Sequence, residues 1–432
     1  MTLLNRLHVS FNRMRATPQS GTLFAVTALA LIAVPAVALR AFAQLQASPK
    51  AVIDQAWQIV DREFVDPKFN QVDWQQERQT LLSRSYASPE EAYTALRTAL
   101  EKLDDPYTRF MNPEEFQALN RGMAGELTGV GMQLKQDETT KALTVVKPIE
   151  NSPALTAGVL PGDLILQIDG RSTQDMTVET AAGLIRGEPD TQVRLQFQRQ
   201  GGEPFELTLT RARISIPAVR SSLQLEGQRR IGYIRLNEFS AHAAEQMKQA
   251  ITDLQSQNVD QFVLDLRGNP GGRLDQGVAI ARMWINSGDI VRTVDRDGSA
   301  EQIRANNSAL TDLPLAVLVD GSSASASEIV AGALKDDHRA VVIGSQTFGK
   351  ALVQQVNQLA DGSGLNVTIA RYFTPSGLDI NHTGITPDIV VDLTAQQKQD
   401  LAANPDQIGT AQDPQYQRAI QYLGETAASP RP

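Results

Sequence analysis

The chain of 432 residues contains no cysteine. Disulfides, thiolate nucleophiles and every cysteine-ligated metal centre are thereby excluded, while the compartment stays open, because a thiol-free chain suits an oxidising or a reducing space equally. Histidine is almost as scarce. His8, His242, His338 and His382 are scattered, with no HExxH or comparable spacing, which argues against a zinc hydrolase and leaves little choice of imidazole base. Positive charge is in short supply too: 40 Lys and Arg stand against 49 Asp and Glu, a formal net charge of -9. A protein whose main partner is nucleic acid needs a basic face, so that class is disfavoured. What remains is a globular composition, 41% hydrophobic and 21% charged, in a chain long enough for two or three domains.

The sequence has one long apolar run, Thr22 to Leu39 (TLFAVTALALIAVPAVAL). Arg6, Arg13 and Arg15 precede it, and a small-x-small site, Ala41-Phe42-Ala43, stands before Gln44. This three-part pattern predicts a secretory signal peptide over residues 1–43. The rival reading is a retained membrane anchor, since the run nearly reaches spanning length. An exported protein follows from the first reading, with a periplasm or an equivalent lumen as its place.

Beyond the leader the pattern changes three times. Residues 44–123 read as helical: Ile53, Trp57, Ile59 and Val60 recur at helical spacing, as do Leu81, Leu82, Tyr93, Leu96 and Leu100, and Ser88-Pro89-Glu90-Glu91 has the form of a helix start. The turn-rich stretch LDDPYTRFMNPEEF ends this segment. Residues 124–213 are strand-rich, with short helices among LTVVKPI, DLILQIDG, VRLQFQR and FELTLTR. Residues 214–395 alternate strands with longer helices, which predicts a sheet covered by helices. Residues 396–432 form a partly helical tail expected to pack on that core. The fold class is α+β, multidomain.

Two Gly- and Ser-rich loops of the α/β part carry the candidate chemistry. GSSASASEIVAGAL follows a strand and opens a helix; Ser325 and Glu328 stand in the S-x-x-E spacing of a capping box, which accounts for them structurally. The same position suits a nucleophile, because the unpaired N–H groups of a helix start can meet a developing oxyanion. A serine nucleophile needs a base. His338 and His382 lie in turns, whereas Lys350 is followed by apolar Ala351, Leu352 and Val353. Desolvation favours a neutral amine, the form that can accept a proton; a plain surface lysine is the alternative. Gln354 is either an orienting amide or a solvent-exposed one. LDLRGNPGG, residues 264–272, can turn backbone N–H groups inward or simply make a tight turn.

Taken together, LTGVGMQL, SPALTAGVLPGDLILQIDG, LDLRGNPGG, GSSASASEIVAGAL, VVIGSQTFGKALVQ and YFTPSGLDINHTGITPDIVV resemble, in order, the motifs of the carboxyl-terminal processing proteases, the tail-specific serine endopeptidases. The resemblance covers about residues 50–395, and the Ser–Lys spacing of 25 and Lys–Gln spacing of 4 agree with it. It implies Ser325 as nucleophile in preference to Ser323 or Ser327, Lys350 as general base, Gln354 as its orienting partner, and Gly268 and Ala326 as oxyanion donors. It implies a core of the ClpP/crotonase-like type. The strand-rich unit resembles a PDZ domain, with Val130, Gly131 and Met132 around the substrate carboxylate and Arg186 aligning the protease when substrate binds. No metal or cofactor is implied. The partner is a protein or peptide with a free carboxyl terminus, including substrates held close to a membrane. The helical segment and single PDZ unit look similar to the cyanobacterial and chloroplast members that trim the photosystem II D1 precursor, which adds the thylakoid lumen as a location. Two other readings compete: a broader degrader of exported proteins, and a peptide-binding scaffold without catalysis.

Overall fold

The computed structural model describes residues 48–137 and 139–427, so the expected signal peptide lies outside the described residues. Three helices open the chain: α1 (Pro49–Glu63), α2 (Trp74–Ser83) and α3 (Pro89–Glu101). Each starts on the side chain that caps it, Ser48, Asp73 and Ser88, and α3 has the proline and acids of the predicted start. A short strand, β1 (Arg109–Met111), and α4 (Pro113–Ala124) follow. The helical segment does not close a core of its own. Val52, Trp57, Leu96 and Phe110 belong to one apolar cluster with Leu236, Phe262, Trp284 and Ile385 of the α/β part. Helices with a single apolar face must bury it against another layer, and here that layer is the α/β part of the molecule.

The strand-rich unit has a separate core. It comprises β2 (Glu126–Gly129), β3 (Met132–Gln136), β4 (Leu143–Pro148), α5 (Pro153–Thr156), β5 (Leu164–Ile168), β6 (Arg171–Ser172), α6 (Val178–Ile185), β7 (Gln192–Gln198), β8 (Phe205–Thr210) and β9 (Ala212–Ser215). Val130, Leu143, Ile165, Ile185, Leu195 and Phe197 form a cluster with no member outside this unit. Strand order is β3-β4-β5-β7-β8, which leaves β3 on an edge. The chain enters on β2 and leaves on β9, and these two pair antiparallel, Glu126 with Ser215 and Gly129 with Ala212.

The remaining elements are β10 (Val219–Glu226), β11 (Arg229–Leu236), α7 (Ala243–Ser256), β12 (Gln261–Asp265), α8 (Leu274–Arg282), β13 (Asp289–Asp295), β14 (Ala300–Arg304), β15 (Leu315–Val319), α9 (Ala326–Asp336), β16 (Val341–Gly344), β17 (Leu352–Gln358), β18 (Gly364–Phe373), β19 (Ile389–Val390), α10 (Ala395–Ala403) and α11 (Pro414–Ala427). One sheet runs β10-β11-β12-β15-β16-β19, antiparallel at β10–β11 and parallel elsewhere. Its middle strands are buried along their whole length, as continuous apolar runs such as LAVLV require of parallel strands covered on both faces. In a second sheet the long β18 pairs with β1, β13 and β17.

The tail is part of this architecture. Tyr416, Ala419, Ile420 and Leu423 of α11 pack against Ile231, Val263, Leu318 and Ile343. At the start of α11 the buried Arg267 guanidinium is held between two carboxylates, Asp265 at 2.6 Å and Asp413 at 2.7 Å. Burial alone would push the Asp265 carboxyl up; Arg267 overrides this and holds it below the usual carboxylate range. Tyr233 completes the cluster by donating to Asp265 at 2.6 Å. Asp413→Ala leaves a buried guanidinium short of one partner, and we expect it to lower unfolding free energy by about 3 kcal/mol, read from urea denaturation. A loss below about 0.5 kcal/mol would show that the cluster does not hold the tail.

Candidate active site

Ser325 sits between β15 and α9 with φ 55° and ψ −115°. A serine rarely adopts this backbone, which costs on the order of 1–3 kcal/mol and persists only where neighbours enforce it. Glu328 does so. Ser325 and Glu328 form the capping box that the sequence predicts, and the fully buried Glu328 carboxylate accepts from Ser325 N–H at 2.9 Å. The same carboxylate accepts from Thr347 Oγ1 at 2.6 Å, Gly349 N–H at 2.7 Å and Lys350 N–H at 2.9 Å. One side chain therefore joins the serine turn to the lysine loop. Its second role has no local signal, since the partners lie about twenty residues downstream.

Two of the other serines of the motif are spent on structure. Ser323 Oγ donates to the Leu266 carbonyl at 2.8 Å and Ser327 Oγ to the Asn269 carbonyl at 2.9 Å, and both residues are fully buried. These bonds dock the serine turn on loop 264–272. Ser325 alone of the four serines lines the adjoining cavity of about 750 Å³. Lys350, Gln354, Ala326, Tyr372 and Gly272 also line it, and Arg109, Leu119 and Met123 from the helical segment supply part of the wall.

Lys350 is fixed at its backbone. Its N–H is held by Glu328, and the Tyr372 hydroxyl reaches both the Lys350 carbonyl and the Ser325 carbonyl, the latter at 3.1 Å. Gly349, with φ 88°, packs so closely on the 382–384 turn that a Cβ would come within 2.8 Å of two backbone nitrogens, so only glycine fits before the lysine. The amine is half-buried. Desolvation pushes its pKa down from the ordinary lysine value; Asp105 and Glu328 pull it up and Arg109 pushes it down, with the net shift downward. Nζ lies 4.4 Å from the centroid of the Tyr107 ring. No hydrogen bond joins Nζ to Ser325 Oγ among the described residues.

The remaining expected residues fall on both sides. Gln354 lines the cavity at a register shift in β17, but its amide donates to Thr368 Oγ1 at 3.4 Å and has no hydrogen bond with Lys350. Ala326 is the first residue of α9, and its N–H has no acceptor among the described residues, as a helix start dictates. The Gly268 N–H donates to Asp320 Oδ1 at 3.0 Å, and the residue does not line the cavity. Gly271 comes closer, since a Cβ there would lie 2.8 Å from Ser325 Cβ. His338 and His382 are exposed in left-handed turns and do not line the cavity.

In the strand-rich unit, Val130 and Gly131 link β2 to β3. The Val130 carbonyl accepts from Ala154 N–H at 2.8 Å, and the Gly131 carbonyl from Ile149 N–H at 2.9 Å and Ser152 Oγ at 3.0 Å. A trans peptide points its N–H opposite to its carbonyl, so the Gly131 amide points away from Ala154 of α5 and the Met132 amide away from Ile149 after β4. Arg186 ends α6, is exposed, and has its Cα 3.7 Å from the Cβ position of Gly129, at the mouth of this link.

Glu328→Ala would leave four donors without their acceptor around Ser325 and Lys350. We expect loss of at least about 3 kcal/mol of stability, seen as a lower denaturation midpoint, together with loss of peptide cleavage. A stable, active Glu328→Ala protein would contradict the anchoring role.

Residues 230–391 match the model of peptidase family S41, and residues 144–199 match that of the PDZ domain. A carboxyl-terminal-processing protease of Synechocystis sp. is 43% identical over 85% of this chain and 85% of its own length. The chloroplastic carboxyl-terminal-processing peptidase 2 of Arabidopsis thaliana is 42% identical over 77% of this chain and 67% of its own. Among solved structures, a photosystem II D1 C-terminal processing protease superposes with TM-score 0.55 at 37% identity, covering 85% of this chain and 99% of that one. The chain belongs to the carboxyl-terminal-processing proteases, serine endopeptidases of peptidase family S41 with a PDZ domain and chemistry of the Ser-Lys dyad class.

Proposed function

We propose that this protease is exported, takes the free carboxyl terminus of a protein substrate on the open edge of β3, and cleaves near that terminus with Ser325 and Lys350. The observation that carries the reading is the cavity that Ser325 and Lys350 share, with both backbones tied to one buried carboxylate. A substrate tail adds as a strand beside β3, its carboxylate meeting the outward amides of Gly131 and Met132, with Val130 shaping the turn and Arg186 at the mouth. The neutral Lys350 amine accepts the Ser325 proton as Oγ attacks the scissile carbonyl. The N–H of Ala326 receives the developing oxyanion. The ammonium returns its proton to the leaving amine, and water hydrolyses the acyl-enzyme. Catalytic hydrogen bonds often close only on the substrate complex, so contact between Oγ and Nζ and between Lys350 and Gln354 belongs to that state.

The helix-covered parallel strands and the serine at a helix start support a core of the ClpP/crotonase-like type. The substrate we propose is the photosystem II D1 precursor. Its support is the 37% identical structure named for that activity and the chloroplastic relative. The leader pattern before Gln44 supports export to a periplasm or thylakoid lumen.

Ser325→Ala and Lys350→Ala should each reduce cleavage of a peptide with an apolar carboxyl tail at least about a thousandfold while leaving the denaturation midpoint near wild type. Near-normal turnover by either variant removes the dyad. Because the base works neutral, kcat/KM should rise with pH through the lowered Lys350 pKa and then level off. For the substrate, a peptide carrying the D1 carboxyl-terminal extension should be cut in clear preference to unrelated apolar tails; equal rates point to a general degrader.

A further inference from the structure

The turn before β1 does more than close the helical segment. Tyr107 places its ring face 4.4 Å from Lys350 Nζ, within the range where an ammonium is attracted by an aromatic quadrupole. Both partners are held. Tyr107 N–H donates to Asp105 Oδ1 at 3.0 Å, and Thr108 Oγ1 donates to Asp105 Oδ2 at 2.7 Å. The turn is then fastened to β18: Asn366 Nδ2 donates to the Tyr107 carbonyl at 3.0 Å, and Thr368 N–H donates to Thr108 Oγ1 at 3.0 Å. β18 pairs with β17, which starts two residues after Lys350. Ring and amine thus share one rigid frame. The charged and titratable groups around the amine are Asp105 and Arg109 from the same turn and Glu328 from α9, with Tyr372 of β18 on the lysine carbonyl.

We propose that Tyr107 is a positioning residue of the catalytic lysine, its ring serving as the platform on which Lys350 carries its proton, both at rest and after taking the proton of Ser325. The helical segment is then a component of the proton-transfer apparatus as well as a packing layer. The proposal rests on Lys350 as general base.

The consequence is a specific pH signature. Removing the ring destabilises the resting ammonium and the transition-state ammonium alike and leaves the neutral lysine unchanged. On the acid limb the resting enzyme is already protonated, so the two losses cancel. On the alkaline plateau the resting enzyme is neutral, so the loss appears in full.

The test is kcat/KM against pH for Tyr107→Leu, Tyr107→Phe and Tyr107→Trp with the apolar-tailed peptide. Tyr107→Leu should lose about tenfold on the plateau and converge with wild type at low pH. Tyr107→Phe keeps the ring and should follow wild type. Should the leucine protein fail to fold, Tyr107→Trp decides, because a stronger cation–π face raises the plateau and moves its midpoint to higher pH while the acid limb stays on that of wild type. An equal loss at every pH means a structural residue only. An unchanged plateau with faster acid-limb turnover means a resting-state latch. Either result overturns the proposal. Competitive labelling of the Lys350 amine across pH, in the Ser325→Ala background with and without Tyr107→Leu, separates this from failure of the dyad: the reactivity midpoint should fall on loss of the ring whether or not peptide is cleaved, and an unmoved midpoint sinks the platform.

Discussion

A fully buried carboxylate holds this active site together. Glu328 has four donors, the N–H groups of Ser325, Gly349 and Lys350 and the hydroxyl of Thr347. An ionised group out of water is tolerable only when its lone pairs are filled, so the carboxylate enforces the arrangement as much as it benefits from it. The strained backbone of Ser325 and the tight packing of Gly349 both answer to this requirement. Ser325 and Lys350 come from different loops, and neither loop alone has reason to adopt its shape.

Around that anchor, labour is divided between two apolar cores. The larger runs from α1 through the α/β sheets, beside the cavity that Ser325 and Lys350 line. The smaller belongs to the PDZ unit and supports its edge strand β3. The tail helix closes the far face of the main sheet through the Asp265–Arg267–Asp413 cluster, which lies immediately before loop 268–272. Loop 264–272 is in turn docked on the serine turn through Ser323 and Ser327.

Much of this was legible in the sequence, and the failures have a common cause. The cap of α3, the alternation of strands and helices in the α/β part and the capping box at Ser325 are local patterns, and each is present in the structure. The family resemblance selects Ser325 over its neighbours, and in the structure Ser323 and Ser327 are committed to carbonyls. What local pattern could not reveal depended on long-range contacts. The bond from the Gly268 amide to Asp320, about fifty residues later, is one such contact. The apolar faces of the helical segment 44–123 are completed by residues beyond 217, which no local pattern shows. Tyr107 carried no signal, because its importance lies in the lysine it meets.

The PDZ unit joins the rest of the chain through the single ribbon of β2 and β9. Its entrance and exit are neighbours, and its interior borrows nothing from outside. Such a module can be excised and substituted with one splice at each strand of the ribbon. Evolution, or an engineer, can thereby change which protein tails are admitted while inheriting the hydrolytic machinery untouched.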